Sequence, residues 1–477
     1  MGKIDTMSNN EAPIIVGLDI GTTKIAVIAG RKNEYGKLEI LGFGRANSSG
    51  VQHGQVLNID HTIKAITCAL ENCAKSNPQL EVNEVYVGIA GNHIKSLPAR
   101  GDLVRQDAET EIQRSEIELL INNQKKMFIP AGDEIIEVIP QDFQVDNILN
   151  IKDPVGYNGV KVGANFHIIT GDRNAIKNIK RAVNKSSLVA KDLVLQPLAS
   201  ASAVMSEIDM EAGVAILDIG GGTSDLAIFH EGILKHTVVI PYGGENITED
   251  IRKGLGVLKT QAEALKVQFG STLASEANEN AYITIPGLKG MHPKQISVKN
   301  LAKIIQARME EILNFVVYHL KQNGLEARNL HGGLIITGGG SQLKHLVQLA
   351  EYTTGLNTRI GYPNEHLAPN HIEELKKPMY ATCLGLILKG YNDYEHAIKQ
   401  FEELNSLKVE PKPQAQPKPF VEPVLEAPVA PAPIPAPTVK AATKPAEKKA
   451  PAGPKFWDKF KDNIIDLFKE EEDKVIK

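Results

Sequence analysis

The feature that most constrains the fold is a strand–turn–strand pattern that occurs twice in the chain. In the second copy, the apolar runs Val214–Leu217 and Leu226–Phe229 flank three glycines, two hydroxyl residues and two aspartates. This pattern predicts a β-hairpin whose turn can approach an anion closely, because glycine has no Cβ. The first copy is Ile15–Ile28, where Asp-Ile-Gly again ends an apolar strand. One such turn alone is equally compatible with a structural hairpin, but two copies predict two similar lobes whose hairpins face each other across a shared nucleotide.

The aspartates beside the glycines predict a cation. Asp218 and Asp225 would repel a bare phosphate, so a hard cation is expected between them and the anion. Mg²⁺ held largely through its waters fits this chemistry. Together with the corresponding Asp19 of the first copy, these residues are the candidate Mg²⁺ site.

A third glycine-rich stretch follows later in the chain. The segment Gly332–Leu343 predicts a strand, a glycine turn at Gly338, Gly339 and Gly340, and the start of a helix with free N–H groups. These glycines would let the chain pass close to a flat ligand. Neither GxxxxGK[ST] nor a strand followed by GxGxxG is present, which argues against a P-loop or a Rossmann site.

The three motifs in this order resemble those of the actin, Hsp70 and sugar-kinase superfamily of ATP-binding proteins. The resemblance implies an α/β, actin-like two-lobe ATPase fold in which the first two loops hold phosphates from opposite lobes and the third lies against adenosine. In that superfamily an acid at the position of Gln196 orients the attacking water. An amide cannot act as a general base, but Gln196 can orient water by hydrogen bonding, or it can be a turn residue only.

Two further segments are candidates for nucleotide contact. The strand before Gly243 and Gly244 turns through these glycines into a helix. Glu263 and Lys266 then fall three residues apart on one face of a predicted helix, where a surface ion pair is the simpler interpretation. In relatives, a helix at this place contacts ribose and adenine, so both interpretations stay open.

Length and composition limit the number of domains, the kinds of partner and the kinds of site that the chain can have. A chain of 477 residues predicts several domains. A net charge of −4, a single Trp and 5% aromatic residues argue against a nucleic-acid partner. The cysteines Cys68, Cys73 and Cys383 lack CxxC spacing and are expected to be reduced core thiols, and no zinc-ligand spacing occurs among the 13 histidines.

Changes in residue composition and in the spacing of apolar residues along the chain suggest the domain boundaries. Within the insertion, strands are predicted at Val85–Ala90, Glu134–Ile139, Phe143–Val145 and Lys161–Ile169, and a helix at Glu109–Lys126. The first lobe is expected to resume with Val162–Thr170, and the apolar spacing in Val298–Lys321 predicts an amphipathic helix of the second lobe. The predicted units are residues 13–83 and 164–203 for the core of the first lobe, 84–163 for a small inserted α+β subdomain, 204–244 and 298–404 for the core of the second lobe, 245–297 for a second-lobe subdomain, 405–454 for a disordered Pro-rich linker, and 455–477 for an amphipathic helix.

The last segment has the pattern of a membrane anchor. A helix over residues 455–469 would collect the large apolar side chains on one face and the charged ones on the other. The Pro-rich linker before it predicts an extended tether. An interfacial anchor and docking on a protein surface are both possible, and the aromatic face favours the bilayer. The apolar residues are Phe456, Trp457, Phe460, Ile464, Leu467 and Phe468.

This organisation resembles the FtsA family of bacterial cell-division proteins. Four segments resemble that family's sequence at corresponding places, and the resemblance covers about residues 13–395 and the last helix, although the Pro-rich linker is longer than is usual in the family. The four segments are Gly88–Ile94, Val138–Gln141, Asp153–Gly156 and Val239–Gly244.

The resemblance implies ATP and Mg²⁺ as ligands, with weak hydrolysis. It also implies actin-like filaments, attached peripherally to the cytoplasmic face of the inner membrane at the division septum. There the protein would anchor FtsZ filaments, bind the FtsZ C-terminal tail through residues 245–297, and recruit later division proteins. By position, the first phosphate loop is Asp19, Gly21, Thr22, Thr23 and Lys24, the second is Asp218, Gly220, Gly221, Gly222, Thr223 and Asp225, and the adenosine loop is Gly338, Gly339 and Gly340.

Three other kinds of protein of the same superfamily are alternatives to an FtsA-like protein. One is another actin-like membrane scaffold of the pilus-assembly type. Another is a small-molecule kinase of the same superfamily, which would have no use for the C-terminal segment. An Hsp70-like chaperone is disfavoured, because nothing after residue 405 resembles a folded peptide-binding domain.

Overall fold

The computed structural model describes residues 12–287, 292–325, 327–369 and 372–406. The strands are β1 (Ile15–Ile20), β2 (Lys24–Lys32), β3 (Leu38–Asn47), β4 (Val51–Gln52), β5 (Gln55–Val56), β6 (Glu84–Ile89), β7 (Lys95–Val104), β8 (Asp133–Val145), β9 (Ile148–Ile151), β10 (Lys161–Asp172), β11 (Val189–Leu195), β12 (Val214–Ile219), β13 (Ser224–His230), β14 (Ile233–Ile240), β15 (Tyr282–Ile285), β16 (Lys294–Ser297), β17 (Gly333–Thr337) and β18 (Thr358–Ile360). The α-helices are α1 (Ile59–Ser76), α2 (Arg114–Gln124), α3 (Arg173–Lys185), α4 (Gln196–Val204), α5 (Glu207–Ala212), α6 (Gly244–Leu255), α7 (Lys259–Phe269), α8 (Val298–Gln322), α9 (Leu346–Thr354) and α10 (Ala381–Ser406).

Two five-stranded sheets share one topology. The first has the order β11-β6-β1-β2-β3 and the second the order β18-β17-β12-β13-β14. In each sheet, an antiparallel three-stranded meander is extended by two parallel strands. The central strands β1 and β12 are buried along their whole length, as the apolar runs in the sequence predict. The prediction of two similar lobes is confirmed.

Two helices of small residues lie between the sheets. Helices α4 and α10 belong to a core that also contains residues of both sheets, including Ile28 and Ile216. They cross at very short range, because a Cβ added to Gly385 of α10 would lie 1.7 Å from the Ala199 carbonyl oxygen of α4. Only glycine allows this approach. Helix α10 packs on β1, β2 and β6 of the first sheet, so the expectation that residues 298–404 belong to the second lobe alone does not fit its position.

The outer faces of the sheets are covered by longer helices. Helices α1 and α3 bury their apolar stripes on the first sheet. On the second sheet, the long helix α8 contributes Ile305, Met309, Ile312 and further apolar residues to the core, as its sequence period predicts. The hairpin β15–β16 lies near the start of this helix.

The insertion forms its own sheet and core. Its strand order is β7-β10-β8-β9, and helix α2 packs on β7 and β8. Its limits differ from the predicted range 84–163. Strand β6 belongs to the first sheet, where it pairs in parallel with β1, and β10 belongs to the inserted sheet through Asp172. The sequences of β6 and β10 are apolar enough for either sheet. The sequence alone therefore does not show which sheet each strand joins.

Two elements of the insertion also differ from the prediction. The segments predicted as separate strands at Glu134–Ile139 and Phe143–Val145 form the single strand β8, with bulges that absorb the interruption at Pro140. Helix α2 begins at Arg114 and not at Glu109, because Glu116 accepts a hydrogen bond from the Gln113 N–H and fixes the start of the helix. The predicted linker from residue 407 onward and the predicted helix at 455–477 lie outside the described residues.

Candidate functional site

The tips of the two hairpins have the same backbone geometry. In the first, Asp19 pairs with Ala26 across β1 and β2, and the Gly21 N–H donates to the Lys24 carbonyl at 3.1 Å. In the second, Asp218 is paired with Asp225, and the Gly220 N–H donates to the Thr223 carbonyl at 2.9 Å. Each strand therefore delivers its aspartate and glycine to one end of its sheet.

The two tips touch each other. A Cβ added to Gly221 would lie 1.8 Å from Thr23 Oγ1, and one added to Gly222 would lie 2.5 Å from Thr22 Oγ1. The glycines of the second tip are thus needed for the close approach of the first tip. The two hairpins face each other, as the repeated motif predicts, and their tips are in contact.

Together the tips form the floor of a cleft of about 930 Å³. The third glycine turn and helices α6 and α7 contribute further walls. The predicted site residues that line this cleft are Asp19, Gly21, Thr22, Thr23, Lys24, Gln196, Asp218, Gly220, Gly221, Gly222, Thr223, Asp225, Gly244, Glu263, Lys266, Gly338, Gly339 and Gly340.

Gly243 is the predicted site residue that does not line the cleft. A Cβ at this position would lie 2.7 Å from the Gly221 carbonyl oxygen, so Gly243 packs behind the second tip. The N–H groups of Gly244 and Glu245, at the start of α6, donate to the carbonyls of Gly220 and Gly221 at 2.9 and 2.7 Å. The N-terminus of α6 therefore holds the loop and is not itself free for an anion.

The carboxylate of the first hairpin is fully paired. Asp19 Oδ2 accepts a hydrogen bond from Lys24 Nζ at 3.0 Å, and Oδ1 accepts one from Gln196 Nε2 at 3.1 Å. Burial lowers the pKa of Lys24, but the charge and hydrogen bond of Asp19 outweigh it, so the pKa of the ammonium is raised. Lys24 is therefore charged and neutralises Asp19 within the hairpin.

Among the residues that the structure describes, the carboxylates of the second hairpin have no cationic partner at hydrogen-bond distance. Asp218 Oδ2 accepts hydrogen bonds from Ser200 Oγ at 2.5 Å and from Thr382 Oγ1 at 3.2 Å. Asp225 Oδ1 is buried, and the described part of the chain offers it no hydrogen-bond partner. Burial raises the pKa of Asp218, and burial together with the charge of Asp218 raises the pKa of Asp225 well above its usual value. Keeping both groups ionised without a cation is costly.

A metal ion in this cleft would have to be held indirectly. Among the residues that the structure describes, no group of three or more His, Cys, Asp or Glu side chains could hold a metal ion directly. The unpaired Asp225 oxygen and the two buried carboxylates nevertheless suit a cation that keeps its waters and takes further oxygen ligands from a phosphate chain. The donor set thus fits Mg²⁺ bound together with a nucleotide.

The third glycine turn closes over Asp218. Gly338 has a φ of +82°, and a Cβ there would lie 2.2 Å from Asp218 Oδ1. Gly339 has no atom within 4 Å of such a Cβ and is open towards the cleft. The turn continues into a short 3₁₀ segment, Gly339–Gln342, and the α-helix begins only at Leu346, so the predicted direct start of a helix is wrong.

The side wall contains the Glu263–Lys266 pair. Lys266 Nζ donates to Glu263 Oε2 at 2.8 Å, to Thr248 Oγ1 at 2.8 Å and to the Gly244 carbonyl at 3.0 Å. The ion pair is real, but it is not a simple surface pair, because Lys266 is half-buried and ties α7 to α6 at the edge of the cleft.

Several residues at the site were not predicted from the sequence. Ser200 and Thr382 are buried hydroxyls on α4 and α10. His53 and Gly54 form the turn between β4 and β5, where His53 Nδ1 donates to the Gly222 carbonyl at 3.0 Å and the Gly54 N–H donates to Thr22 Oγ1 at 3.1 Å. Only the His-Gly turn has a local signature in the sequence, since the hydroxyls lie in runs of small residues.

Outside the cleft, the structure describes three free cysteines. Cys73 and Cys383 are buried, but Cys68 is exposed, so the expectation of a core thiol is wrong at that position. Within the described residues, no helix is both long enough and apolar enough to cross a bilayer.

Comparison with known proteins gives two family matches. Residues 215–385 match the family described as cell division protein FtsA, and residues 91–170 match the SHS2 domain inserted in FtsA. The second match falls on the four-stranded inserted sheet. The inserted α+β subdomain and the second lobe therefore correspond to units of one family.

Individual relatives extend over most of the chain. Cell division protein FtsA of Pseudomonas aeruginosa is 34% identical over 377 residues, which cover 79% of this chain and 89% of the relative. The protein of the same name from Neisseria meningitidis is 35% identical over 370 residues, covering 78% and 88%. Among solved structures, the PilM–PilN type IV pilus biogenesis complex has a TM-score of 0.58 at 16% identity and covers 79% of this chain and 98% of that one. That likeness concerns the fold alone.

Proposed function

This chain belongs to the FtsA family of cell division proteins, and we propose that it acts as an ATP-dependent membrane scaffold of the division septum. Its role in cell division and its actin-like fold follow from the family. ATP, the membrane and the partner proteins are the parts that we propose here.

One observation carries the nucleotide proposal. Two topologically equivalent hairpins meet tip to tip, and a single cleft opens above both of them. The tips supply backbone N–H groups and the hydroxyls of Thr22, Thr23 and Thr223, which suit the phosphates of ATP. The open face at Gly339 and the wall at Glu263 and Lys266 suit the nucleoside.

The charged residues of the cleft would have different roles in binding Mg²⁺ and ATP. Lys24 would attract the phosphate chain, while Asp218 and Asp225, with Asp19 behind them, would orient the waters of Mg²⁺. A bound Mg²⁺ would neutralise charge on the phosphates. Gln196 would hold a water by hydrogen bonding, and because an amide does not accept a proton, hydrolysis is expected to be slow.

Calorimetric titration of the full chain with ATP, in Mg²⁺ and in EDTA, tests this proposal. We expect one nucleotide per chain, bound more tightly with Mg²⁺. Gly338→Ala should abolish binding, since the new Cβ would overlap Asp218 Oδ1, while Gly339→Ala should leave the fold intact because its Cβ meets no protein atom. Absence of binding by the wild-type chain would remove the nucleotide from the proposal.

The C-terminal segment supplies the proposed membrane contact. The apolar residues that helical spacing places on one face of residues 455–469 would enter the bilayer interface, and the Pro-rich segment before them would provide reach. One such helix binds weakly, so filaments that present many copies would hold the membrane far better.

Co-sedimentation with liposomes tests the anchor. The full chain should pellet with vesicles, and both deletion of residues 455–477 and the double change Trp457→Asp and Phe460→Asp should release it while ATP binding persists. Asp458→Asn is a matched control on the polar face. Unchanged pelleting of the double variant would exclude this helix as the anchor.

We also propose that the chain forms actin-like filaments and binds the C-terminal tail of FtsZ, after which later division proteins are recruited. Residues 245–297, which contain α6, α7 and the β15–β16 hairpin, are the proposed site of the tail. Binding of a fluorescent FtsZ tail peptide to the full chain measures this contact. The variant for this test is altered at Tyr282, an exposed residue of β15, and at other exposed residues of that subdomain. If the peptide binds the variant with the same affinity as the wild type, the tail binds elsewhere on the protein.

A further inference from the structure

Two neighbouring serines on α4 behave differently. A serine inside a helix usually returns its hydroxyl to the carbonyl four residues earlier, and Ser202 does so, donating to the Leu198 carbonyl at 3.0 Å. Ser200 does not. Its hydroxyl is completely buried and donates to Asp218 Oδ2 at 2.5 Å, across the gap between the helix and the second sheet.

The second helix between the lobes supplies a matching hydroxyl. Thr382 Oγ1, on α10, lies 3.0 Å from Ser200 Oγ and 3.2 Å from the same oxygen of Asp218. Gly385 allows this meeting, because it lets the two helices approach to backbone contact at Ala199, the residue before Ser200. The two hydroxyls and the carboxylate thus form one buried polar cluster at the helix crossing.

The geometry leaves the two oxygens of Asp218 with different surroundings. Oδ2 is held by both hydroxyls, while Oδ1 lies under Gly338, at the glycine turn that lines the cleft. A carboxylate fixed at one oxygen cannot rotate freely, so the other oxygen has a defined direction. Fixing a group that contacts a ligand in this way reduces the cost of ordering it on binding.

We propose that Ser200 and Thr382 are positioning residues that hold Asp218 for the hydrated cation of the bound nucleotide, one from each of the helices between the lobes. This inference rests on the proposed function, because it concerns the same cleft. It adds that the strength of cation binding depends on the crossing of α4 and α10, since a change at the crossing would pull one hydroxyl away from the carboxylate.

Binding of ATP to the full chain in saturating Mg²⁺ and in EDTA tests the inference. The variants are Ser200→Ala, Thr382→Val, their combination, the hydroxyl-preserving Thr382→Ser, and Ser202→Ala as the control on the same helix. The melting temperature of each nucleotide-free variant measures any merely structural loss.

We expect Ser200→Ala and Thr382→Val each to weaken binding in Mg²⁺ by about tenfold, and to change binding in EDTA by less than about twofold. Thr382→Ser should retain wild-type affinity, and Ser202→Ala should resemble the wild type in both conditions. The double variant should lose less than the product of the single losses, because both hydroxyls bond the same oxygen.

Three outcomes would overturn the inference. One is wild-type affinity in Mg²⁺ for both hydroxyl-removing variants, and another is an equal loss in Mg²⁺ and EDTA, which would show that the hydroxyls do not act through the cation. A Thr382→Ser variant as weak as Thr382→Val would show that the methyl group matters and the hydroxyl does not; this pair decides the question even where Ser200→Ala does not fold. Failure of the wild-type chain to bind ATP at all would instead refute the proposed function, and the inference with it.

Discussion

The two hairpins share a backbone but differ in how their charge is balanced. At aligned positions of the tip, Lys24 of the first hairpin corresponds to Thr223 of the second, and Ala26 corresponds to Asp225. The first hairpin therefore carries one carboxylate and one ammonium that neutralise each other. The second carries two buried carboxylates whose side-chain partners among the described residues are hydroxyls only, and one of these carboxylates has an oxygen that none of those residues pairs.

Because of this difference, the two hairpins contribute differently to the stability of the fold and to the proposed binding of a ligand. The first hairpin balances its own charge and needs no ligand for this. The second keeps an electrostatic cost in the free protein that a cation would relieve, so part of the proposed affinity for Mg²⁺ would come from removing that cost. Four substitutions test this difference between the hairpins, in order of decreasing expected effect.

Lys24→Met breaks the balance of the first hairpin. Asp19, almost fully buried, would retain only the Gln196 amide, and loss of one partner of a buried ion pair costs about 3–5 kcal/mol of unfolding free energy. Urea denaturation of the nucleotide-free chain measures this. Lys253→Met, at an exposed i,i+4 pair with Glu249, should change stability by less than about 0.5 kcal/mol. Equal losses in the two variants would show that Asp19 does not need its ammonium partner.

Asp218→Ala tests the second hairpin through its ligand. We expect the affinity for Mg²⁺–ATP to fall by about 30- to 100-fold, which corresponds to about 2–3 kcal/mol for lost charge-assisted contacts. The nucleotide-free protein should lose little stability, because the cost of burying the carboxylate disappears with it. Unchanged affinity in a calorimetric titration would remove the proposed cation site.

Asp225→Asn should stabilise the nucleotide-free protein. Because the pKa of Asp225 is raised in the folded state, the folded chain holds this proton more tightly than the unfolded chain, and the wild type loses stability as pH rises from the ordinary carboxyl range through the raised pKa. An amide has no such cost, so we expect the melting temperature of the variant to exceed that of the wild type by about 1–3 °C at pH 7.5.

The pH dependence provides the control for this prediction. Towards pH 3, below the ordinary pKa of an aspartate, the wild-type group becomes protonated in the unfolded state as well as in the folded state, so the difference between Asp225→Asn and the wild type should shrink towards zero. Asp19→Asn should have the opposite sign and lower the melting temperature at pH 7.5, because it leaves Lys24 without its partner. Two changes of the same sign would contradict the contrast between the hairpins.

Gln196→Ala has the smallest expected effect. The variant removes a neutral donor to an oxygen of Asp19, whose charge Lys24 still balances, so the unfolding free energy should fall by about 1 kcal/mol or less. If Gln196 also holds a water at the nucleotide, any ATP hydrolysis by the wild type should be slower still in the variant. A steady-state phosphate release assay separates this role from that of a turn residue.

The sequence predicts those features that are encoded locally. The hairpins, their glycines and the long stripe of α8 each follow from a short pattern, and the structure contains all three. The sequence places β6 in the insertion and divides β10 between the insertion and the first lobe, because an apolar strand does not specify its neighbour. Ser200 and Thr382 lie 182 residues apart, and their meeting depends on a helix crossing that only the tertiary structure defines.

A structure of the full chain with Mg²⁺ and a non-hydrolysable ATP analogue decides whether the two hairpins bind one nucleotide. We expect the phosphates to lie against both the Gly21–Lys24 and the Gly220–Thr223 turns, with a hydrated cation beside Asp218 and Asp225. A nucleotide bound away from either turn, or a cleft that stays empty at saturating analogue, would contradict it.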